Sequence, residues 1–268
     1  MNQDLTKLAQ IRCFLLDMDG TVYLGEKLLP GAQRFLDLLE QKNIRHLFLT
    51  NNSSRHARQY AEKLRRLGID AREESIFTSG EATAIYLKRA KPGARLYVVG
   101  TDDLIEEMTS NGFIVTEKEI DTVVLGFDTT LTYEKLVKLC DFVRSGKPYI
   151  ATHPDINCPT ENGFIPDIGS VIALVRSSTG RDPDVIIGKP NKPIVDAIVE
   201  KINIPVNQIA MVGDRLYTDI AMGNTGITTI LVLSGETGLE DLADSPFKPD
   251  YTVQDLAELA KLFGEIGE

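Results

Sequence analysis

Asp17 and Asp19 stand two residues apart in the run Asp17-Met18-Asp19-Gly20-Thr21, directly after the apolar residues 11–16. In an extended chain, residues at that spacing point the same way, so both carboxylates can face one site. Gly20 permits a sharp turn behind them. A plain strand-to-loop turn is the other reading. A second acidic run, Gly213-Asp214-Arg215-Leu216-Tyr217-Thr218-Asp219, follows the apolar residues 209–212. Asp219 can be a first-turn carboxylate favoured by a helix dipole. Asp214, an acid ending a buried strand, needs a partner.

Two further clusters suit a phosphate. Thr50-Asn51-Asn52-Ser53-Ser54 ends an apolar run and precedes a helical pattern. A hydroxyl and free backbone N–H groups at a helix start can bind an anion, although a simple cap by Ser53 or Ser54 explains the same residues. Gly188-Lys189-Pro190 places a lysine, a mobile point charge, between a permissive glycine and a proline that fixes the backbone. If the strand ends are neighbours, Asp17, Asp19, Asp214 and Asp219 converge. Close carboxylates raise one another's pKa values unless a cation sits among them, and hard oxygen ligands of this kind suit Mg²⁺. Thr50 and Lys189 would then face the other side of a bound phosphate.

The elements that must position these clusters alternate along the chain. Residues 11–16, 47–49, 96–99, 123–125, 209–212 and 230–233 read as strands buried on both faces. Ala57, Tyr60, Ala61, Leu64 and Leu67 repeat at helical spacing before Gly68, and Tyr133, Leu136, Val137, Cys140 and Val143 do so before Gly146. Pro193 suits the first turn of a third helix. This β-α alternation predicts an α/β fold with a Rossmann-like parallel sheet and helices on both faces. Residues 153–169, rich in Pro, Gly, Asn and Asp, break the rhythm. They read as a long irregular loop, either a surface connection or one that faces substrate.

Composition narrows the partners. With 268 residues and a formal net charge of −10, the chain can bury a sizeable core and repels nucleic acid and anionic lipid. No apolar run approaches the roughly 20 residues of a membrane span. The polar first ten residues lack a signal core, which predicts a cytoplasmic location. Cys13, Cys140 and Cys158 show no metal or disulfide spacing and read as reduced thiols.

The four clusters, in this order, resemble the haloacid dehalogenase (HAD) superfamily, in particular its NagD-like, 4-nitrophenylphosphatase-type branch. The resemblance runs from about Ile11 onward. It implies a Mg²⁺-dependent phosphatase acting on small phosphate monoesters, with 4-nitrophenyl phosphate as an artificial substrate. It assigns Asp17 as nucleophile and Asp19 as acid/base whose carbonyl also ligates the metal. Thr50, Asn51, Asn52 and Lys189 fall to the phosphate, Asp214 to the metal, and Asp219 to the metal directly or through water. The branch also implies an inserted α/β cap, residues 83–182, between core segments 1–82 and 183–268. The 153–169 loop would belong to that cap, with His153 and Asp155 reading the rest of the substrate; an exposed loop histidine is the alternative for His153. Relatives often carry Asn at position 153 and a Gly-rich run at 166–168, so substrate preference does not transfer. The expected partner is a small phosphorylated metabolite, and a homodimer through the cap stays open. Competing readings are a phosphotransferase or mutase on the same core, a receiver-like phospho-aspartate module, and a non-catalytic sensor.

Overall fold

The computed structural model describes residues 5–160 and 163–266. Its strands, in chain order, are β1 (Cys13–Leu16), β2 (Tyr23–Leu24), β3 (Lys27–Leu28), β4 (Arg45–Thr50), β5 (Ile76–Thr78), β6 (Arg95–Val99), β7 (Ile114–Val115) and β8 (Thr122–Leu125). They continue with β9 (Tyr149–Ala151), β10 (Asn157–Thr160), β11 (Gly163–Pro166), β12 (Val185–Ile186), β13 (Ile209–Gly213), β14 (Thr228–Val232) and β15 (Tyr251–Val253). The chain divides into two compact units. One holds the chain up to Thr50, Tyr60–Phe77 and the chain from Ile198 onward; the other holds Asn51–Gln59 and Thr78–Ala197.

The first unit is built on a six-stranded sheet of order β15-β14-β13-β1-β4-β5. β1 pairs in parallel with both β4 and β13, and β14 and β15 continue in parallel. Every residue of β1, β13 and β14 is buried, which is why these segments read as uninterrupted apolar runs rather than alternating ones. Phe14 of β1 meets Phe35 and Phe263 edge-on, with ring centroids 5.2 and 5.0 Å apart. Those two rings belong to the helices Ala32–Gln41 and Leu256–Gly264, which pack against each other. Because the chain leaves β1 toward β4 on one side and returns to β13 on the other, the carboxyl end of β1 is a topological switch point. Ligands of open α/β sheets bind at such points.

The second unit carries a smaller sheet, β12-β9-β8-β6-β7, with parallel pairing throughout. Val99, Val123, Leu125, Tyr149 and Ala151 form its core with Leu139, Cys140 and Val143 from the helix Tyr133–Arg144 and Val175 from the helix Ile168–Thr179. The architecture is thus a Rossmann-like α/β core plus an inserted smaller α/β cap, with helices on both faces.

One expectation is corrected. Residues 153–169 are not irregular throughout: β10 and β11 pair antiparallel, and Asp167 caps the following helix through its side chain. No alternation of apolar residues announces this hairpin, because most of it is open to solvent on both faces. Phe164 is 73% exposed. Among the described residues no helix is long and apolar enough to cross a membrane.

Candidate active site

In the first unit, Asp17 follows β1 and donates its backbone N–H to Val212 of β13 at 2.9 Å. That bond fixes the first residue beyond the sheet. Asp214 follows β13, the neighbouring strand, and is buried. Its Oδ2 accepts the Glu236 N–H at 2.7 Å. Asp219 is fully buried at the start of the 3-10 turn Ile220–Thr225, and its Oδ2 accepts the Arg215 N–H at 3.2 Å. It stands at the N-cap of that turn rather than inside its first turn, and its side chain makes no capping bond. Asp17, Asp214 and Asp219 each present a carboxylate oxygen within 4.8 Å of the others.

At an effective dielectric of about 20, two unit charges ~5 Å apart repel by roughly 3 kcal/mol. Backbone donors at Asp214 and Asp219 offset part of that cost. The donor set, two carboxylates at the ends of rigid strands and a third at the start of the following 3-10 turn, is the hard-oxygen chemistry that divalent cations such as Mg²⁺ take. The residues present therefore fit such a metal. Gly20 tightens the site: its φ is +87°, and an added Cβ would lie 2.3 Å from Asp214 Oδ2. A side chain there meets both backbone strain and the carboxylate.

Asp19 differs from its neighbours. Its side chain is 55% exposed, with Lys63 Nζ 4.0 Å away and the Tyr23 hydroxyl 3.4 Å away. Lys63 also lies 3.9 Å over the Tyr23 ring, a cation–π contact. Burial, followed by the charge of Asp19, pushes the Tyr23 phenol well above its ordinary range and keeps it a neutral donor. Thr50 ends β4, on the other side of β1 from β13. Sequence reasoning gives Arg215 no role. Burial works against its charge, yet Asp17, Asp214 and Glu236 hold it firmly protonated. Its place inside the Asp214–Asp219 run was the only signal.

In the second unit the remaining candidates gather. Asn51 is buried; its Oδ1 accepts the Lys189 N–H at 2.7 Å, and its Nδ2 donates to the Lys189 carbonyl at 3.1 Å. The same Nδ2 reaches both oxygens of Asp155 at 3.1 and 3.2 Å. Lys189 is only 3% exposed. Asn52 Oδ1 accepts from both the backbone N–H and the hydroxyl of Ser54 at 2.8 Å, an Asx turn that shapes the loop. His153 is fully buried, so the exposed-histidine alternative is wrong. Its Nδ1 lies 3.0 Å from Thr152 Oγ1 and its Nε2 3.0 Å from Asp167 Oδ1. Asp167 in turn accepts the Ile168 N–H at 2.6 Å. Burial raises the Asp155 carboxyl above its usual range, against the opposing charges of His153 and Lys189 and the Asn51 hydrogen bond.

Comparison with known proteins adds to this geometry. Residues 14–114 match the family model of haloacid dehalogenase-like hydrolases, and residues 186–259 match a HAD-hydrolase-like model. An acid sugar phosphatase of Staphylococcus aureus is 40% identical over 253 residues, 94% of this chain and 97% of that protein. The crystal structure of a 4-nitrophenylphosphatase from Thermotoga maritima is 51% identical with a TM-score of 0.92, covering 95% of this chain and 98% of that one. NagD from E. coli K-12 is 34% identical with a TM-score of 0.86, covering 92% and 98%.

Proposed function

The chain belongs to the haloacid dehalogenase-like hydrolase family, on its NagD-like branch, and from that premise we propose that it hydrolyses small phosphate monoesters through an aspartyl-phosphate on Asp17. The observation that carries the reading is the approach of carboxylate oxygens of Asp17, Asp214 and Asp219 to within 4.8 Å of one another, beyond the ends of the adjacent strands β1 and β13. Phosphatase activity in relatives along nearly the whole chain supports the reaction class.

In this reading Asp17 Oδ attacks phosphorus while the bond to the leaving oxygen breaks, and Asp19 supplies the proton that the leaving alkoxide takes up. Asp19 then removes a proton from water. The water oxygen attacks phosphorus, the bond to Asp17 breaks, and inorganic phosphate leaves with both carboxyl groups restored. The half-exposed position of Asp19 beside Tyr23 and Lys63 suits a group that must meet both leaving group and water. Asp17, Asp214 and Asp219, with the Asp19 carbonyl, would hold Mg²⁺, which when bound withdraws charge from the phosphoryl oxygens. Thr50, Asn51, Asn52 and Lys189 are assigned to the phosphate. Asp155 and His153 are assigned to selectivity, His153 by holding the segment that carries Asp155. The cap is assigned to residues 83–182, and the core to 1–82 and 183–268.

The substrate class follows the relatives no further than a phosphorylated small molecule, with sugar phosphates the first to try. The test is phosphate release from a panel of monoesters, with and without Mg²⁺. Asp17→Asn should abolish release while the circular dichroism spectrum stays that of the wild type. Near-normal turnover by folded Asp17→Asn would remove the covalent scheme. Transfer of the phosphoryl group to a sugar hydroxyl without free phosphate would replace hydrolysis by transfer.

A further inference from the structure

Asn51 is assigned to the phosphate in the reading above, yet its side chain is engaged elsewhere. Lys189 N–H is a donor and nothing else, so the side-chain oxygen must be the atom that faces it, and the amide orientation is fixed by chemistry. The Nδ2 group then meets the Lys189 carbonyl and the Asp155 carboxylate. Asn51 thus grips the main chain of Lys189 at both its donor and its acceptor, as a neighbouring strand would, across a sequence separation of 138 residues.

The surroundings are shaped for this grip. Gly188 donates its N–H to the Thr152 carbonyl at 2.8 Å, and Ile187 donates to Ala151 at 3.0 Å, which continues the β9–β12 pairing up to the lysine. A Cβ at position 188 would fall 2.6 Å from Asn51 Oδ1 and 2.6 Å from His153 Cβ. Only a residue without a side chain lets the amide come so close. On the far side, Ser53 Oγ accepts the Phe127 N–H and meets Thr152 Oγ1, each at 2.9 Å, so the residues after Asn51 are anchored as well.

We propose that the Asn51 side chain is a positioning residue that sets the placement of Lys189 for phosphoryl transfer. This rests on the phosphatase reading. A lysine has four rotatable side-chain bonds, so its ammonium can be placed reproducibly only if the backbone it springs from is fixed. Misplacement by about 1 Å can cost on the order of 10²-fold in rate. A purely structural role, in which Asn51 merely satisfies buried main-chain groups, would lower stability without acting through the lysine.

A double-mutant cycle on the full chain with 4-nitrophenyl phosphate and Mg²⁺ separates the two. Asn51→Ala should lower kcat roughly 10- to 100-fold with KM changed by less than about 3-fold, and Lys189→Ala should lower kcat further. The combined variant should be no slower than Lys189→Ala alone, within about 3-fold, because removing the lysine leaves Asn51 nothing to position. Losses that multiply, or wild-type kcat in folded Asn51→Ala, would overturn the proposal. Should Asn51→Ala fail to fold, Asn51→Asp keeps the acceptor for the Lys189 N–H, removes both donations and runs the same cycle. If neither variant folds, the contact is structural and the proposal is wrong. A wild-type protein that releases no phosphate from any monoester would instead overturn the function on which the proposal rests.

Discussion

At the ends of β1 and β13 three carboxylates face one another, whereas around Asn51 donors and acceptors alternate. The first region concentrates like charge and holds it with backbone N–H groups, a nearby guanidinium and a glycine that leaves no room for retreat. The second spends its polar groups on one another: Asn51 on Lys189 and Asp155, His153 on Thr152 and Asp167. A centre of the first kind stores electrostatic cost that a cation and a phosphate ester can relieve. A junction of the second kind stores little and provides rigidity. Substitutions in the two regions should therefore fail differently, in turnover at the carboxylates and in placement or stability at the junction.

The largest effect in the first region, short of removing Asp17, is expected at Asp19. Asp19→Asn removes the ionisable carboxyl group and keeps the side-chain shape, so kcat should fall roughly 10²- to 10⁴-fold, the usual scale of acid/base assistance. Because Asp19 is half exposed and its contacts to Lys63 and Tyr23 are long, at 4.0 and 3.4 Å, a small change in stability is expected. Steady-state kinetics with a good leaving group, 4-nitrophenolate, should show a smaller loss than with an alkyl phosphate. Equal losses on both substrates, or a loss below tenfold on the alkyl ester, would take Asp19 out of the proton transfer.

Gly20→Ala comes next and mixes the two kinds of failure. At φ +87° a Cβ is strained, and it would lie 2.3 Å from a carboxylate already tied to the Glu236 N–H. The expected cost is about 1–3 kcal/mol, or roughly 3–10 °C in melting temperature, together with a clear loss of activity because Asp214 must shift. Gly180→Ala is the matched control in the other unit. Its φ is +74° but nothing lies within 4 Å of the added Cβ, so it should show the backbone cost alone and keep wild-type kcat. Equal melting temperatures and activities for the two variants would mean that Asp214 is not held tightly.

The same division governs what the sequence could reveal. The strand interiors were legible because β1, β13 and β14 are buried on both faces and read as apolar runs. Their limits were less so: β4 begins at Arg45 and ends at Thr50, polar residues that hide a strand expected only at 47–49. Two-residue strands such as β7 and β12 are too short to carry any period, and the exposed β10–β11 hairpin has no buried face to imprint one. At the site, carboxylates two and five residues apart announce themselves locally. The Asn51–Asp155, Asn51–Lys189 and His153–Asp167 contacts span 104, 138 and 14 residues and depend on pairings that no local pattern encodes. The positions of Asn51 and His153 mark them in the sequence, but the partners that define their chemistry are set by the fold.

The smallest effect expected is also the one that separates the junction most cleanly from the carboxylate centre, since here removing a charge should help. Burial holds the Asp155 carboxyl above its ordinary range despite His153, Lys189 and Asn51. The folded protein therefore binds that proton more tightly than the unfolded chain does, and ionising Asp155 costs stability as pH rises from the unfolded value, near 3.8, through the raised one. Asp155→Asn keeps an oxygen for Asn51 Nδ2 and abolishes the titration. Below the unfolded value the variant and the wild type should melt together. Above the raised value the variant should be the more stable, with the higher melting temperature of the two. Thermal melts from pH 3.5 to 8 measure the difference directly. A gap of the opposite sign at neutral pH would mean that the positive charges around Asp155 outweigh its burial, and the junction would then be an ion pair network rather than a rigid polar clamp.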